Sequence, residues 1–185
     1  MPKVGVESIR RKALVNAAIA EVGAHGIEVS VARIARRAGM SPALAHHYFG
    51  GKADMLEAAL RAILSDYGGA VRGRLEQGGD RVAAIVGTSF GPESFRSDVI
   101  GAWLTFYLLA RRNETAGRLL RVYQARLRSN LRHALRLRGH AAPVAMAERL
   151  AALIDGLYLR AALGGAFDGR EAAAQVMAAL EDTEV

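Results

Sequence analysis

The sequence has no cysteine. That absence excludes disulfides, thiolate zinc sites and cysteine nucleophiles, and it suits a reducing cytoplasm. Proline is scarce, with four residues at Pro2, Pro42, Pro92 and Pro143. Proline removes an amide donor and clashes with the preceding helical turn, so helices can run long between these points. No stretch of about 18 uninterrupted apolar residues exists, so no helix is expected to span a membrane. The opening Met1-Pro2-Lys3-Val4-Gly5 lacks the apolar core of a secretion signal. No segment alternates apolar and polar residues over the length of a strand. Nucleophile motifs, phosphate loops and metal-ligand sets are also missing, which argues against an enzyme and implies no cofactor.

What is present is a large apolar fraction, 51% of 185 residues, enough for a packed core. The net charge is +7, which favours an anionic partner. Its placement is uneven. Residues 1–52 hold eight Lys or Arg against three acids, and residues 53–185 hold seventeen against fifteen. Charge alone leaves nucleic acid and a lipid surface as alternatives.

Ala, Leu and Arg dominate, and all three favour helix. The first helix is predicted to begin near Ser8 as cap and to end at Gly26, with Ala13, Leu14, Ala17, Ala18 and Val22 inward. A short second helix follows Ser30, turns Ile34, Ala35 and Ala38 inward, and closes at Gly39. A third begins at Ser41-Pro42, a cap followed by a residue suited to the first helical position. It runs to Tyr48 or Phe49, where Gly50-Gly51 breaks it. From Lys52 a longer helix extends to the glycines at 68–69 or to those at 78–79. Further helices are predicted near 81–90, 93–111, 114–138, 143–164 and 169–181. The expectation is an all-α chain of about nine helices.

The segment from Val31 to Gly50 reads as a helix-turn-helix. The bend needs a residue tolerant of positive φ, which is Gly39, and a small side chain before it, which is Ala35. Ala45 and Phe49, four apart, form the inward face of the next helix. Its other face presents Ala43, Leu44, His46, His47 and Tyr48, within reach of a major groove. The helix start after Ser41-Pro42, like other helix starts, offers free N–H groups to phosphate. The two adjacent histidines point about 100° apart on a helix and cannot chelate one metal ion together. No metal site is expected.

Ile34-Ala35-Arg36-Arg37-Ala38-Gly39-Met40-Ser41, followed by Tyr48-Phe49, Lys52 and Leu56, resembles the DNA-binding domain of TetR-type repressors. The string Ser41-Pro42-Ala43-Leu44-Ala45-His46-His47-Tyr48-Phe49-Gly50-Gly51-Lys52 is similar to BetI-type repressors of choline and glycine betaine metabolism. So is the opening Met1 to Gly5 with Ile9-Arg10-Arg11. The resemblance implies a DNA-binding domain over 1–55 and a helical inducer-binding and dimerisation domain over 56–185. It implies phosphate contacts from Ser30 and Lys52, and from His46 as a ring N–H donor where most members carry tyrosine. It places His47 and Tyr48 on backbone or base edges, and Pro42, Ala43 and Leu44 against thymine methyls. Ala45 and Phe49 are structural in the family.

The resemblance further implies a homodimer formed through the last two helices, operator DNA as partner, and a choline-like inducer relieving repression of genes for choline uptake and betaine synthesis. A quaternary ammonium has no N–H donor, so aromatic faces and a carboxylate must hold it. Phe95, Val99, Trp103, Phe106 and Ala110 share one helical spacing. Trp103, Tyr107 and Tyr123 are the first cage candidates, then Phe106 and Tyr67, with Asp98 as counter-charge. An aromatic stripe is also what a plain core looks like. Asp155-Gly156 reads as helix packing. The nine arginines between Arg111 and Arg138 read as a solvated face. A TetR-type repressor of efflux genes, responding to another cation, is the alternative.

Overall fold

The computed structural model describes residues 3–181, so Met1 and Pro2 of the opening pentapeptide lie outside the described residues. Among the described residues there are nine helices and no strand. They are α1 (Lys3–His25), α2 (Val31–Arg37), α3 (Pro42–Phe49), α4 (Lys52–Glu76), α5 (Arg81–Ser89), α6 (Ser97–Ala110), α7 (Glu114–Leu137), α8 (Pro143–Ala162) and α9 (Gly169–Glu181). None is long and apolar enough to cross a membrane.

The helices pack into two compact units. One holds the chain up to Ile63 together with Ser97–Leu119; the other holds Leu64–Arg96 and the chain from Leu120 to the end of α9. Helices α4 and α7 each contribute to both units.

In the first unit α1 buries Leu14, Ala17, Ala18, Ile19 and Val22. Helix α6 lies against it. The two backbones touch at glycines. A Cβ on Gly23 would stand 2.1 Å from the Asp98 carbonyl oxygen, and one on Gly101 would stand 2.2 Å from the Gly23 carbonyl oxygen. No other residue type leaves room for this crossing.

In the second unit Phe95 and Tyr158 meet edge to face at 5.1 Å, and Phe90 adds its ring 5.2 Å from Phe95. The Tyr158 hydroxyl lies 2.5 Å from the Ser89 carbonyl oxygen and 3.1 Å from that of Ser94, and shares its one proton between them. Asp80 caps α5, accepting the amides of Val82 and Ala83, and also receives Arg138 at 2.7 Å. Helices α8 and α9 bury Met146, Leu150, Ile154, Leu157, Val176 and Leu180.

Two boundaries differ from expectation. Helix α1 starts at Lys3. Ser8 therefore sits inside it and donates back to the Gly5 carbonyl at 3.0 Å instead of capping. Helix α4 takes the longer of its two expected courses, running through Gly68-Gly69 to Glu76, because a glycine weakens a helix by only about 1 kcal/mol and its neighbours supply the rest. Helix α6 starts at Ser97, not near 93, because the Phe95 amide is drawn to the Gly91 carbonyl at 2.8 Å and its ring joins Phe90 and Tyr158. Phe95 is thus off the α6 stripe.

Candidate nucleic-acid interface

Ser30 starts α2 as cap, its Oγ accepting the Arg33 amide at 3.2 Å. The helix ends in a two-bond closure. The Gly39 amide donates to Arg36 at 3.1 Å and the Met40 amide to Ala35 at 2.9 Å. This pattern requires a left-handed residue, and Gly39 has φ of 68°. Ser41 then caps α3, accepting the Leu44 amide at 3.2 Å, with Pro42 in the first turn. Gly50, with φ of 73°, closes α3 by donating to the His46 carbonyl at 2.7 Å.

The burial pattern of α3 follows from this register. Ala45 and Phe49 are buried, as expected from their spacing. Ser41, Pro42, Ala43, His46 and His47 are exposed, while Leu44 and Tyr48 are half-buried. The His47 and Tyr48 rings meet edge to face at 5.6 Å. Ser30 is exposed, and Lys52 is half-buried as the first residue of α4. The expected contact residues thus sit at the starts of α2, α3 and α4 and along one open face of α3.

Two braces that sequence reasoning missed hold this face. Arg11 of α1 donates to the Tyr48 carbonyl at 2.5 Å and lies over the Phe49 ring at 4.6 Å. A cation at a helix C-terminus is favoured by the helix dipole. Glu21 of α1, only 5% exposed, accepts from Arg33 and, at 3.1 Å, from Arg37 of α2. Burial alone would raise its pKa. The hydrogen bonds and charges of the two arginines outweigh that and hold the carboxyl below its ordinary 4.5. The sequence did carry a signal for Glu21: it continues the buried spacing of Leu14, Ala17 and Ala18. Arg11 gave none.

Glu21→Gln is expected to cost about 1 kcal/mol, since a charged acceptor is lost but its partners stay half in solvent. A carboxyl with a lowered folded-state pKa stabilises above its unfolded value, and loses that contribution as pH falls through the folded one. The gap between variant and wild type in denaturant midpoint should therefore be full at pH 7, begin to close as pH falls through the unfolded carboxyl value of about 4.3, and go on closing through the lower folded value. A gap undiminished at about pH 3 would show that Glu21 acts through packing.

The expected ligand residues fall into two groups. On α6, Trp103 and Tyr107 place their rings 6.0 Å apart, Phe106 is wholly buried, and half-buried Asp98 accepts the Val99 amide at 3.0 Å. In the other unit Tyr67 of α4 meets Tyr123 of α7 edge to face at 5.6 Å. Ser89 gives its own proton to the Ile85 carbonyl, so the Tyr67 hydroxyl 3.0 Å away donates to Ser89. Burial pushes the Tyr67 phenol up to about 12, and the Asp155 carboxylate adds to the rise. Asp155 of α8, expected from the sequence to serve helix packing, is thus close enough to act electrostatically on Tyr67.

A glycine-closed bend, a capped short helix with an open outer face and a trailing lysine are the parts of a helix-turn-helix DNA-binding head. Residues 14–59 match the family model described as bacterial regulatory proteins, tetR family, and residues 79–183 match BetI-type transcriptional repressor, C-terminal. The chain belongs to the TetR family of transcriptional regulators, as a BetI-type repressor. It is 47% identical over 169 residues to the HTH-type transcriptional regulator BetI of Brucella anthropi, covering 89% of this chain and 87% of that protein. Among solved structures, a transcriptional regulator from Pseudomonas aeruginosa PAO1 aligns with a TM-score of 0.79 at 28% identity, over 96% of this chain and 91% of that one. A regulator from Saccharomonospora viridis, solved in complex with choline, aligns with a TM-score of 0.84 at 23% identity, over 94% of this chain and 96% of that one.

Proposed function

We propose that the chain represses transcription by laying α3 in the major groove of an operator, and that a choline-like quaternary ammonium lowers its affinity for DNA. The observation that carries the DNA half is the outward face of α3, with Pro42, Ala43, His46 and His47 exposed on a helix whose start and bend are fixed by Ser41 and Gly39. Ser30, Ser41 and Lys52 serve phosphates. Pro42, Ala43 and Leu44 meet thymine methyls, and His47 and Tyr48 reach base or backbone atoms. No Arg, Asn or Gln lies between residues 42 and 49, so bidentate base reading is limited and DNA shape carries part of the specificity.

The ligand half rests on the Tyr67–Tyr123 ring pair and on the Asp155 carboxylate that acts electrostatically on Tyr67. Aromatic faces and one carboxylate are what a cation without N–H donors needs, each ring adding about 0.5–2 kcal/mol. Trp103 and Tyr107 of α6 form the second candidate pair, with Asp98 on the same helix. The choline bound to the Saccharomonospora viridis relative agrees in chemistry. Tyr67 and Lys52 belong to the same helix, α4. A ligand that prefers one position of α4 would shift the population away from the operator-binding state; equal affinity for both states would shift nothing. Leu159 of α8 and Leu163, which caps its end, are 46% and 71% exposed, which favours a homodimer through the last two helices. The regulated genes in this reading serve choline uptake and betaine synthesis.

The test is anisotropy on the duplex upstream of the chain's own gene, with and without choline. Choline should release the duplex; unchanged affinity at saturating choline, with hydrophobic cations active instead, would reassign the inducer to the efflux type. Lys52→Ala should weaken binding to every sequence and lower the salt slope by about 1. His47→Ala should change preference at one operator position by about 1–3 kcal/mol. Equal losses on operator and random DNA would remove His47 from base reading.

A further inference from the structure

The tautomer of the neutral His46 ring is written into the turn that ends α3. Its Nδ1 lies 3.0 Å from the Gly50 carbonyl oxygen. A carbonyl has no hydrogen to give, so Nδ1 carries the proton. In the neutral ring Nε2 is then a lone pair. A phosphate oxygen is an acceptor as well, and the two repel. The ring N–H donor expected at this exposed position is therefore already spent on Gly50. A second proton changes that. The imidazolium keeps its bond to Gly50 and gains a charged Nε2–H for phosphate.

We propose that His46 contacts the DNA backbone only as the imidazolium, so that each protomer takes up one proton on binding its operator and affinity rises as pH falls. This rests on the reading that α3 lies on DNA. The titratable and charged groups on the elements around α3 include Glu7, Arg10, Arg11, Lys12, Glu21 and His25 of α1, Arg33, Arg36 and Arg37 of α2, and Lys52, Asp54, Glu57 and Arg61 of α4. Arg33 and Arg37 are engaged by Glu21, and Arg11 by Tyr48. On α3 itself the His47 ring packs against Tyr48. Cations outnumber acids in these surroundings, with the Asp54 carboxylate beside Gly50 as one local anion, and a DNA phosphate at Nε2 adds the further anion that favours the charged ring. The bound state then holds more protons than the free state, which fixes the sign: binding weakens as pH rises.

The experiment is operator anisotropy with the full chain at fixed salt from about pH 5.5 to 8, for wild type, His46→Gln and His47→Gln. Titration calorimetry in two buffers of different ionisation enthalpy counts the protons. Wild type and His47→Gln should lose about tenfold in affinity per protomer between about pH 6 and pH 8, with proton uptake approaching one per protomer. His46→Gln places a non-titrating amide donor near Nε2 and should bind with a flat profile. His46→Asn, which retains only the Gly50 bond, should bind more weakly and also flatly. A wild-type profile that is flat while operator binding is intact overturns the proposal. So does a slope that survives in folded His46→Gln. Absence of operator binding at every pH instead removes the DNA reading, and the proton inference with it.

Discussion

Gly101→Ala is expected to cost about 3 kcal/mol of folding stability, because the new methyl would stand 2.2 Å from the Gly23 carbonyl oxygen. A backbone atom cannot rotate away as a side chain can, so α1 and α6 must separate along the whole of their contact. Gly23→Ala should cost a similar amount, since its methyl would meet the Asp98 carbonyl at 2.1 Å. The double variant should cost less than the sum, as one separation relieves both clashes. Gly73→Ala is the control. A Cβ there meets nothing within 4 Å, and alanine in a helix interior should add about 0.5–1 kcal/mol. Urea denaturation separates these outcomes. Wild-type stability in Gly101→Ala would refute the close crossing of α1 and α6.

The second large effect is at Phe106. The sequence offers Phe106 as a member of the ligand cage, yet its side chain is fully buried on α6. Phe106→Ala is expected to cost about 3–5 kcal/mol through lost burial and the cavity left behind. Tyr123→Ala, at a half-buried position, should cost less in stability and weaken choline binding. If Phe106→Ala were stable and bound choline poorly while Tyr123→Ala bound it normally, the α6 aromatics would be the cage and the Tyr67–Tyr123 pair mere packing. Calorimetric titration of the folded variants decides between them.

Much of the architecture was legible because its punctuation is local. Gly39, Ser41-Pro42 and Gly50-Gly51 each act on the residues beside them, so the bend and both short helices could be read directly. The predicted starts near 81, 114 and 143 also fall where local bonds place them, with Asp80 capping α5, Asn113 accepting the Ala116 amide at the start of α7 and Pro143 opening α8. What escaped depends on partners distant in sequence. Phe95 leaves a helical pattern because Tyr158 and Phe90 compete for its ring. Ser8 loses its cap role because the helix begins earlier. The pairing of Arg11 with Tyr48 spans 37 positions, and no periodicity records it. The electrostatic influence of Asp155 on Tyr67 is of the same kind. The tautomer of His46 was hidden for a subtler reason: the residue type and its place on the helix were plain, but which nitrogen remains available is decided by the carbonyl of Gly50.

The paired amide bonds from Gly39 and Met40 have a thermodynamic corollary. They lock the angle of the reading head before any nucleic acid arrives, so the ordering entropy of that joint is spent during folding rather than at the encounter. Association then asks little reorganisation of the head, and its free energy is left to displaced counterions, expelled water and the bending of the duplex.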